Sequence, residues 1–359
     1  MSRVLLGSEA RRFGGAELYL ERLARSLPGW EAAVAVPDRP GLAPWRARLA
    51  EAGVEVCGYA PSAAGWRRVA GRARSGADLV HVNLPATYDG GAGTLPAALA
   101  LLSRRPVVTS EHLVHLPRSR RRSWWKRTLS AGVAGTLVAT RAGKRALTAA
   151  GGSPSRIAVV PNGVPDPGGP FPLPPLDGGV VIRVLVTLEA RKRVDLLLRV
   201  LVALPGVPLR LEVGGEGPER ARLEALAREL GVAGRVRFAG AVADGAAFLA
   251  GAHLVALSSR LEGMPLVVLD ALACGRGVLV ADLPGMDEVV DSSCGVLLPP
   301  EDLDAWTAAF REAEGERARI AEWGRGARAR YDRDFTLARS AAGTARFYER
   351  VLAGTGEDG

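Results

Sequence analysis

The stretch S-S-R-L-E-G-M-P-L-V-V-L-D-A-L-A-C-G-R-G-V-L-V, residues 258–280, concentrates the residue types that could handle a phosphorylated polyol. Glu262 precedes a turn of Gly263, Met264, Pro265 and Leu266 that opens a helix, with Pro265 at its favoured first position and Gly275 closing it. A helix N-terminus offers N–H donors and a partial positive charge to an anion, and Glu262 and Asp270 can accept hydrogen bonds from hydroxyl groups beside it. Donors for an anion flanked by carboxylates suit a sugar nucleotide. Ordinary loop and helix charge accounts for the same two acids if the stretch is taken alone. A second phosphate-type turn, Phe13-Gly14-Gly15-Ala16-Glu17, follows the first apolar run and opens an amphipathic segment. A plain tight turn would use the same glycines. The dinucleotide fingerprint G-x-G-x-x-G is missing there, which removes the main support for a nicotinamide enzyme.

These turns need strands to hold them. Short β-branched runs alternate with Ala/Leu/Arg helical patterns through both halves of the chain, the signature of βαβ units and parallel sheets. The pattern predicts strands at Arg3–Leu6, Ala32–Val36, Val54–Gly58, Leu79–Val82, Val107–Ser110, Leu137–Ala139 and Ile157–Val160. It predicts six more at Val181–Thr187, Leu209–Gly214, Val236–Ala239, Leu254–Ser258, Val278–Ala281 and Gly295–Leu298. Between the halves, P-D-P-G-G-P-F-P-L-P-P-L-D-G-G (165–179) is too rich in Pro and Gly for helix or central strand. The expected organisation is therefore an α/β chain with a Rossmann-like domain at 1–165, a linker at 166–179 and a second Rossmann-like domain at 180–335. A helix at 336–359 is expected to cross back to the first domain.

Composition narrows the function classes. The 359 residues are 48% hydrophobic and 24% charged, which excludes disordered, collagen-like and coiled-coil chains and fits two domains. Cys57, Cys274 and Cys294 are too few and too scattered for a disulfide framework or a metal-binding pair, and they point to a reducing compartment. The N-terminal apolar run Val4-Leu5-Leu6 is short for a secretory signal, and the apolar stretch near Leu95–Leu102 is short for a membrane span. A cytoplasmic protein is expected. Residues 1–165 carry 24 basic against 10 acidic residues, net +14, and 166–359 carry 23 against 28, net −5. That asymmetry would draw an anionic ligand or surface to one side, unless it merely reflects an arginine-rich composition. The densest basic segment, 118–127, holds Arg120, Arg121, Arg122 and Trp124 between His112 and the next strand. It reads as an acceptor-side surface, as a peripheral membrane contact, or as a solvated helix face over buried tryptophans.

The motif E-G-M-P-L-V-V-L-D-A-L-A-C-G-R-G-V resembles that of glycosyltransferase family 4, with Asp270 where the family has a second glutamate and Gly277 where proline is usual. Further matches follow in family order: Gly14-Gly15-Ala16-Glu17, Pro106-Val107-Val108 with His112, Val160-Pro161-Asn162-Gly163-Val164, Gly215-Glu216-Gly217-Pro218, and Arg235 to Gly240. The resemblance implies a GT-B fold, with two facing Rossmann-like domains and the active site in their cleft. It implies a retaining, metal-independent, cofactor-free transferase whose donor is a nucleoside-diphosphate sugar, UDP-sugar favoured and GDP-mannose the other choice, and whose acceptor is a hydroxyl. Nucleic acid is not an expected partner.

By the same resemblance, Glu262, His112 and Lys192 would act on the sugar and the leaving diphosphate. Gly14, Gly15, Lys192, Arg193, Gly215, Glu216, Gly217, Gly240, Glu262, Gly263, Met264, Pro265, Leu266 and Asp270 would bind the donor. Thr187 stands where relatives carry an arginine, so Arg191 or Arg193 is left to supply the guanidinium. Lys192 is one of only three lysines among 47 basic residues, and a compact ammonium there fits a point charge on phosphate. Asp270 reaches about 1.5 Å less far than glutamate towards the ribose that the family's glutamate would meet. Two other classes share parts of the pattern: a sugar-nucleotide epimerase or glycosyl phosphorylase on the same fold, and a non-catalytic polyanion- or membrane-binding protein.

Overall fold

The computed structural model describes residues 1–86, 94–114 and 132–354. The chain divides into two compact units, Met1–Gly163 with Leu337–Gly359, and Val164–Thr336.

The first unit is built on seven parallel strands: β1 (Ser2–Ser8), β2 (Trp30–Pro37), β3 (Glu55–Tyr59), β4 (Leu79–Ala86), β5 (Val107–Leu113), β6 (Gly135–Val138) and β7 (Ile157–Val159). They lie in the order β3-β2-β1-β4-β5-β6-β7. Their runs are apolar on both faces because helices cover the sheet: Leu5, Val80, Val82, Leu84 and Val107 pack with Val69, Ala70 and Ala73 of the helix Ala63–Gly76. Ser62 and Thr140 start the helices Ala63–Gly76 and Arg141–Ala149 by accepting from the N–H groups of Gly65 and Gly143. The helix Leu337–Leu352 completes this unit and buries Ala341, Thr344, Ala345, Phe347 and Tyr348. The Tyr348 hydroxyl hydrogen-bonds Nδ1 of His81 on β4, and its ring stands edge-on to Trp30 at 5.1 Å.

The second unit has six parallel strands: β8 (Val180–Leu185), β9 (Leu209–Gly214), β10 (Val236–Gly240), β11 (Leu254–Leu257), β12 (Gly277–Ala281) and β13 (Gly295–Leu298). Their order is β10-β9-β8-β11-β12-β13. The thirteen strands thus fall where the β-branched runs place them, with ends displaced by at most two residues except in β4 and β5, which run four and three residues further than expected. In both sheets the strand order reverses beside the first strand, between β1 and β4 and between β8 and β11, and ligands of open α/β sheets bind outside the carboxyl ends at such points.

The stretch 166–179 has neither helix nor strand, and it is fastened along the second unit rather than left loose. Arg276, fully buried, donates through Nη1 to the Phe171 carbonyl at 2.9 Å and through Nη2 to that of Pro172 at 2.7 Å. His253 accepts from the Val181 N–H through Nδ1, so its Nε2 donates to the Pro174 carbonyl, and Arg317 donates to that of Leu176. Proline-rich backbone has few N–H donors of its own, so its carbonyls are satisfied by side chains of the unit it runs along. The chain enters this unit at Val164 and leaves it at Thr336, and those two residues form a parallel bridge.

Candidate active site

In the second unit the candidate residues gather on the loops after β8, β9, β10 and β11. Lys192 follows β8 and Glu262 follows β11, so the two flank the point where strand order reverses. Their side chains, 10% and 9% exposed, form an ion pair between Lys192 Nζ and Glu262 Oε1. Sequence reasoning gives these residues separate partners, whereas here each holds the other. The loops are tied together behind the pair: Arg260 N–H donates to the Arg191 carbonyl, and Ser258 Oγ donates to those of Lys192 and Arg193 at 3.1 and 3.0 Å.

Of the two arginines left open by the sequence, Arg191 is the one beside Glu262, with Nη1 3.8 Å from Oε1. It also bonds Glu189 at 2.8 Å and the Leu261 carbonyl at 3.3 Å. Arg193 occupies the left-handed region, φ 53°, and makes its ion pairs with Asp195 and Glu301, each at 3.1 Å. Thr187 is exposed, two residues beyond the end of β8.

The turn Gly263-Met264-Pro265 leads into the helix Leu266–Ala273, with Pro265 just outside it in extended conformation rather than at its first position. Its backbone ladder begins with Val268 and Leu269 donating to the Pro265 carbonyl, so the N–H groups of Leu266 and Val267 lie ahead of it. Asp270 is half-buried on this helix; burial raises the pKa values of Cys274 and Tyr331, and the Asp270 charge adds to both.

Gly215, Glu216 and Gly217 run against the chain leaving β8: Leu188 N–H donates to the Glu216 carbonyl at 2.9 Å, and Gly215 N–H to that of Gly240 at 2.7 Å. Gly215 has φ 116°, and a Cβ there would stand 1.9 Å from the Val186 carbonyl oxygen. Only glycine fits. A Cβ at Gly217 would lie 2.3 Å from the Leu188 oxygen, and Gly240 has φ 74°. Glu216 pairs with Arg220 on the following helix.

In the first unit, Gly14 and Gly15 stand at the start of the helix Gly15–Ala24, and a Cβ on Gly15 would meet nothing within 4 Å. Glu17 of the same motif is turned inward, 4% exposed, with Oε1 3.5 Å from Ser8 Oγ, and burial raises its pKa to about 7. His112 is next to last on β5 and packs against Tyr19, ring centroids 4.7 Å apart, and burial lowers its pKa to about 4. Its Nε2 lies 2.7 Å from Oδ1 of Asn83, a fully buried residue on β4 that sequence reasoning passes over. The available signal was a polar residue inside the apolar run Leu79-Val80-His81-Val82-Asn83-Leu84. Arg120, Arg121, Arg122 and Trp124 lie outside the described residues. Among the described residues no cluster of three or more His, Cys, Asp or Glu could hold a metal ion, and no helix is long and apolar enough to cross a membrane.

Comparison with known families gives the same division. The profile of Glycosyltransferase Family 4 matches residues 13–166, and that of Glycosyl transferases group 1 matches residues 174–330. The chain belongs to glycosyltransferase family 4. LpsE of Rhizobium meliloti, a lipopolysaccharide core biosynthesis glycosyltransferase, is 34% identical over 154 residues, 42% of this chain and 44% of that protein. The D-inositol 3-phosphate glycosyltransferase of Mycolicibacterium paratuberculosis is 36% identical over 142 residues, 38% of this chain and 32% of that one. The matches thus span less than half the length of these curated relatives. Among solved structures, HepE of Anabaena in complex with UDP superposes with TM-score 0.84 at 21% identity, covering 99% of this chain and 100% of that one. A complex of the same protein with UDP-glucose gives 0.83 at 20% identity, with 98% and 100% covered. The fold of this family 4 chain is therefore GT-B.

Proposed function

We propose that this chain is a retaining, metal-independent glycosyltransferase that moves a hexose or N-acetylhexosamine from a nucleoside-diphosphate sugar to an acceptor hydroxyl. A UDP-sugar is the favoured donor, in keeping with the UDP-glucose complex of HepE, and GDP-mannose is the other candidate. A single observation carries the reading. Lys192 and Glu262, from the loops after β8 and β11, meet at the second unit's switch point.

Transfer needs the departing diphosphate to be neutralised and the sugar to be held. A diphosphate arriving at the pair competes with Glu262 for the Lys192 ammonium, and Arg191 adjoins as a second cation. Glu262, released from lysine, accepts hydrogen bonds from sugar hydroxyls. The N–H groups of Leu266 and Val267 add donors for phosphate oxygens, and Asp270 with the loops at 215–217 and 240 serves the nucleoside. In the first unit, Gly14 and Gly15 meet the diphosphate and His112 the sugar. The acceptor belongs to a small-molecule, lipid-linked or cell-surface glycan pathway, the last in keeping with the name of LpsE, with 118–127 as its surface.

The test is a panel of UDP- and GDP-sugars incubated with the full chain, scored for nucleoside diphosphate release and for the anomeric configuration of the product. Release that depends on an added hydroxyl acceptor, with retained configuration, is the expected outcome. An isomerised nucleotide sugar would indicate an epimerase, and dependence on inorganic phosphate a phosphorylase. No binding of UDP or GDP at millimolar concentration would end the proposal.

A further inference from the structure

Asn83, Ser110 and His112 form a hydrogen-bonded set whose proton positions can be worked out atom by atom. Ser8, Asn83 and Ser110 stand in one row across β1, β4 and β5, which brings the Asn83 amide between the helix Gly15–Ala24 and the end of β5. Its Nδ2 donates to the Ala16 carbonyl at 2.9 Å. A carbonyl only accepts, so turning the amide over would set oxygen against oxygen, and its orientation is determined. Oδ1 is consequently the atom 2.8 Å from Ser110 Oγ and 2.7 Å from His112 Nε2. An amide oxygen cannot donate, so Ser110 and His112 both must. Nε2 therefore carries a hydrogen. A neutral imidazole has one N–H, and burial keeps this ring neutral at pH 7, so Nδ1 is left with its lone pair. Tyr19 packs edge-on against the ring, and among the described residues Nδ1 has no hydrogen-bond partner.

We infer that Asn83 is a positioning residue that locks His112 as the Nε2–H tautomer, so that His112 presents Nδ1 as a hydrogen-bond acceptor for a hydroxyl of the donor sugar. The sugar half of this inference rests on the transferase reading above. The tautomer half does not, and the two are tested separately.

The full chain labelled with ¹⁵N-histidine contains four histidines, and the spectrum of His112→Gln identifies the His112 signals by their loss. At pH 7 the expected pattern is a protonated Nε2 and an unprotonated Nδ1. The opposite tautomer, or averaged shifts, overturns the proposal with no substrate involved. Ser110→Ala leaves Oδ1 in place and should keep the pattern. Asn83→Leu removes the acceptor and should give averaged shifts; an unchanged Nε2–H pattern in that variant would remove Asn83 from its role. If Asn83→Leu does not fold, the wild-type spectrum still decides the tautomer. Kinetically, Asn83→Leu should lower kcat/KM for UDP-glucose by about tenfold or more while the Kd for UDP stays within about twofold, because UDP lacks the sugar. An equal loss in UDP affinity would mean a merely structural role and overturn the positioning claim. A wild type that binds no UDP but keeps the Nε2–H tautomer would fail the transferase reading alone.

Discussion

The two units share a strand order around their reversal points and put opposite chemistries there. At the β8/β11 point an ammonium and a carboxylate are paired, both nearly buried. At the β1/β4 point the set around Asn83 is neutral: a backbone carbonyl, an amide, a hydroxyl and an imidazole held uncharged by burial. The distribution runs against the overall charge, since the first half is net +14 and the second net −5. Net charge governs the far field and the approach of ligands, whereas the local chemistry follows which side chains the strand ends deliver. A diphosphate calls for formal charge, and a sugar's hydroxyls call for oriented neutral donors and acceptors.

The largest expected effects break the charged member of this comparison. Lys192→Ala and Glu262→Gln should each reduce transfer by about a hundredfold or more, the scale of ~3 kcal/mol for one charged contact at a developing anion. Because the two side chains share one ion pair, the double variant should lose little more than the worse single one. Steady-state kinetics with matched melting curves check this. Fully additive losses would mean that the two residues act apart.

The glycine turns of the two units differ in the same instructive way. Gly215→Ala forces a left-handed φ and a clash with the Val186 oxygen, and it should destabilise the fold by about 2–3 kcal/mol. Gly15→Ala meets open space and should leave the melting temperature unchanged, with any loss confined to donor KM. Thermal denaturation of both variants separates a glycine required by the backbone from one that the backbone does not require.

What could be read from the sequence follows from how locally each feature is determined. The strands were legible because runs such as Val180-Val181-Ile182 are β-branched and flanked by Gly or Pro, and the loops that follow them carry glycine and charge. Glu262, Lys192, Gly215 and His112 could be singled out for the same reason. The pairing of Lys192 with Glu262 spans 70 residues and depends on β8 and β11 being neighbours, which no local pattern specifies. Asn83 was hidden because its role depends on Ala16 and His112, each reached only through the sheet. Arg276 offered no sequence signal of its burial, since an arginine that binds carbonyls is indistinguishable by type from the solvated ones around it.

The buried acid of the first unit gives a smaller and pH-dependent effect. Glu17 has its pKa raised to about 7 by burial, above the ordinary glutamate value of 4.5. A raised carboxylate pKa means the folded state holds the proton more tightly, so its contribution to stability is full below about 4.5 and is lost as pH rises through 7. Glu17→Gln removes that loss. It should raise stability at pH 8 by on the order of 1 kcal/mol and leave it unchanged at pH 4.5, read from melting temperatures across that range. His112, with its pKa lowered to about 4 from 6.5, pulls the other way: it destabilises the unit as pH falls from 6.5 towards 4.

The smallest effect belongs to Asp270, where the second unit departs from the family's glutamate. Asp270→Glu lengthens the side chain by about 1.5 Å and keeps the charge on the same half-buried helix position. Glutamate also has the better helix propensity, so the helix Leu266–Ala273 should not suffer. The pKa elevations of Cys274 and Tyr331 should persist, because burial is their main cause and the carboxylate charge that adds to it is retained. Affinity for UDP should stay within about twofold of the wild type or tighten, a change of ~0.4 kcal/mol, whereas Asp270→Ala should weaken it by about tenfold. Calorimetric titration of the three proteins with UDP distinguishes the cases. If Asp270→Glu abolished binding and Asp270→Ala did not, the nucleoside would have to be held by the loops at 215–217 and 240 alone, and the carboxylate would be a helix charge with no ligand.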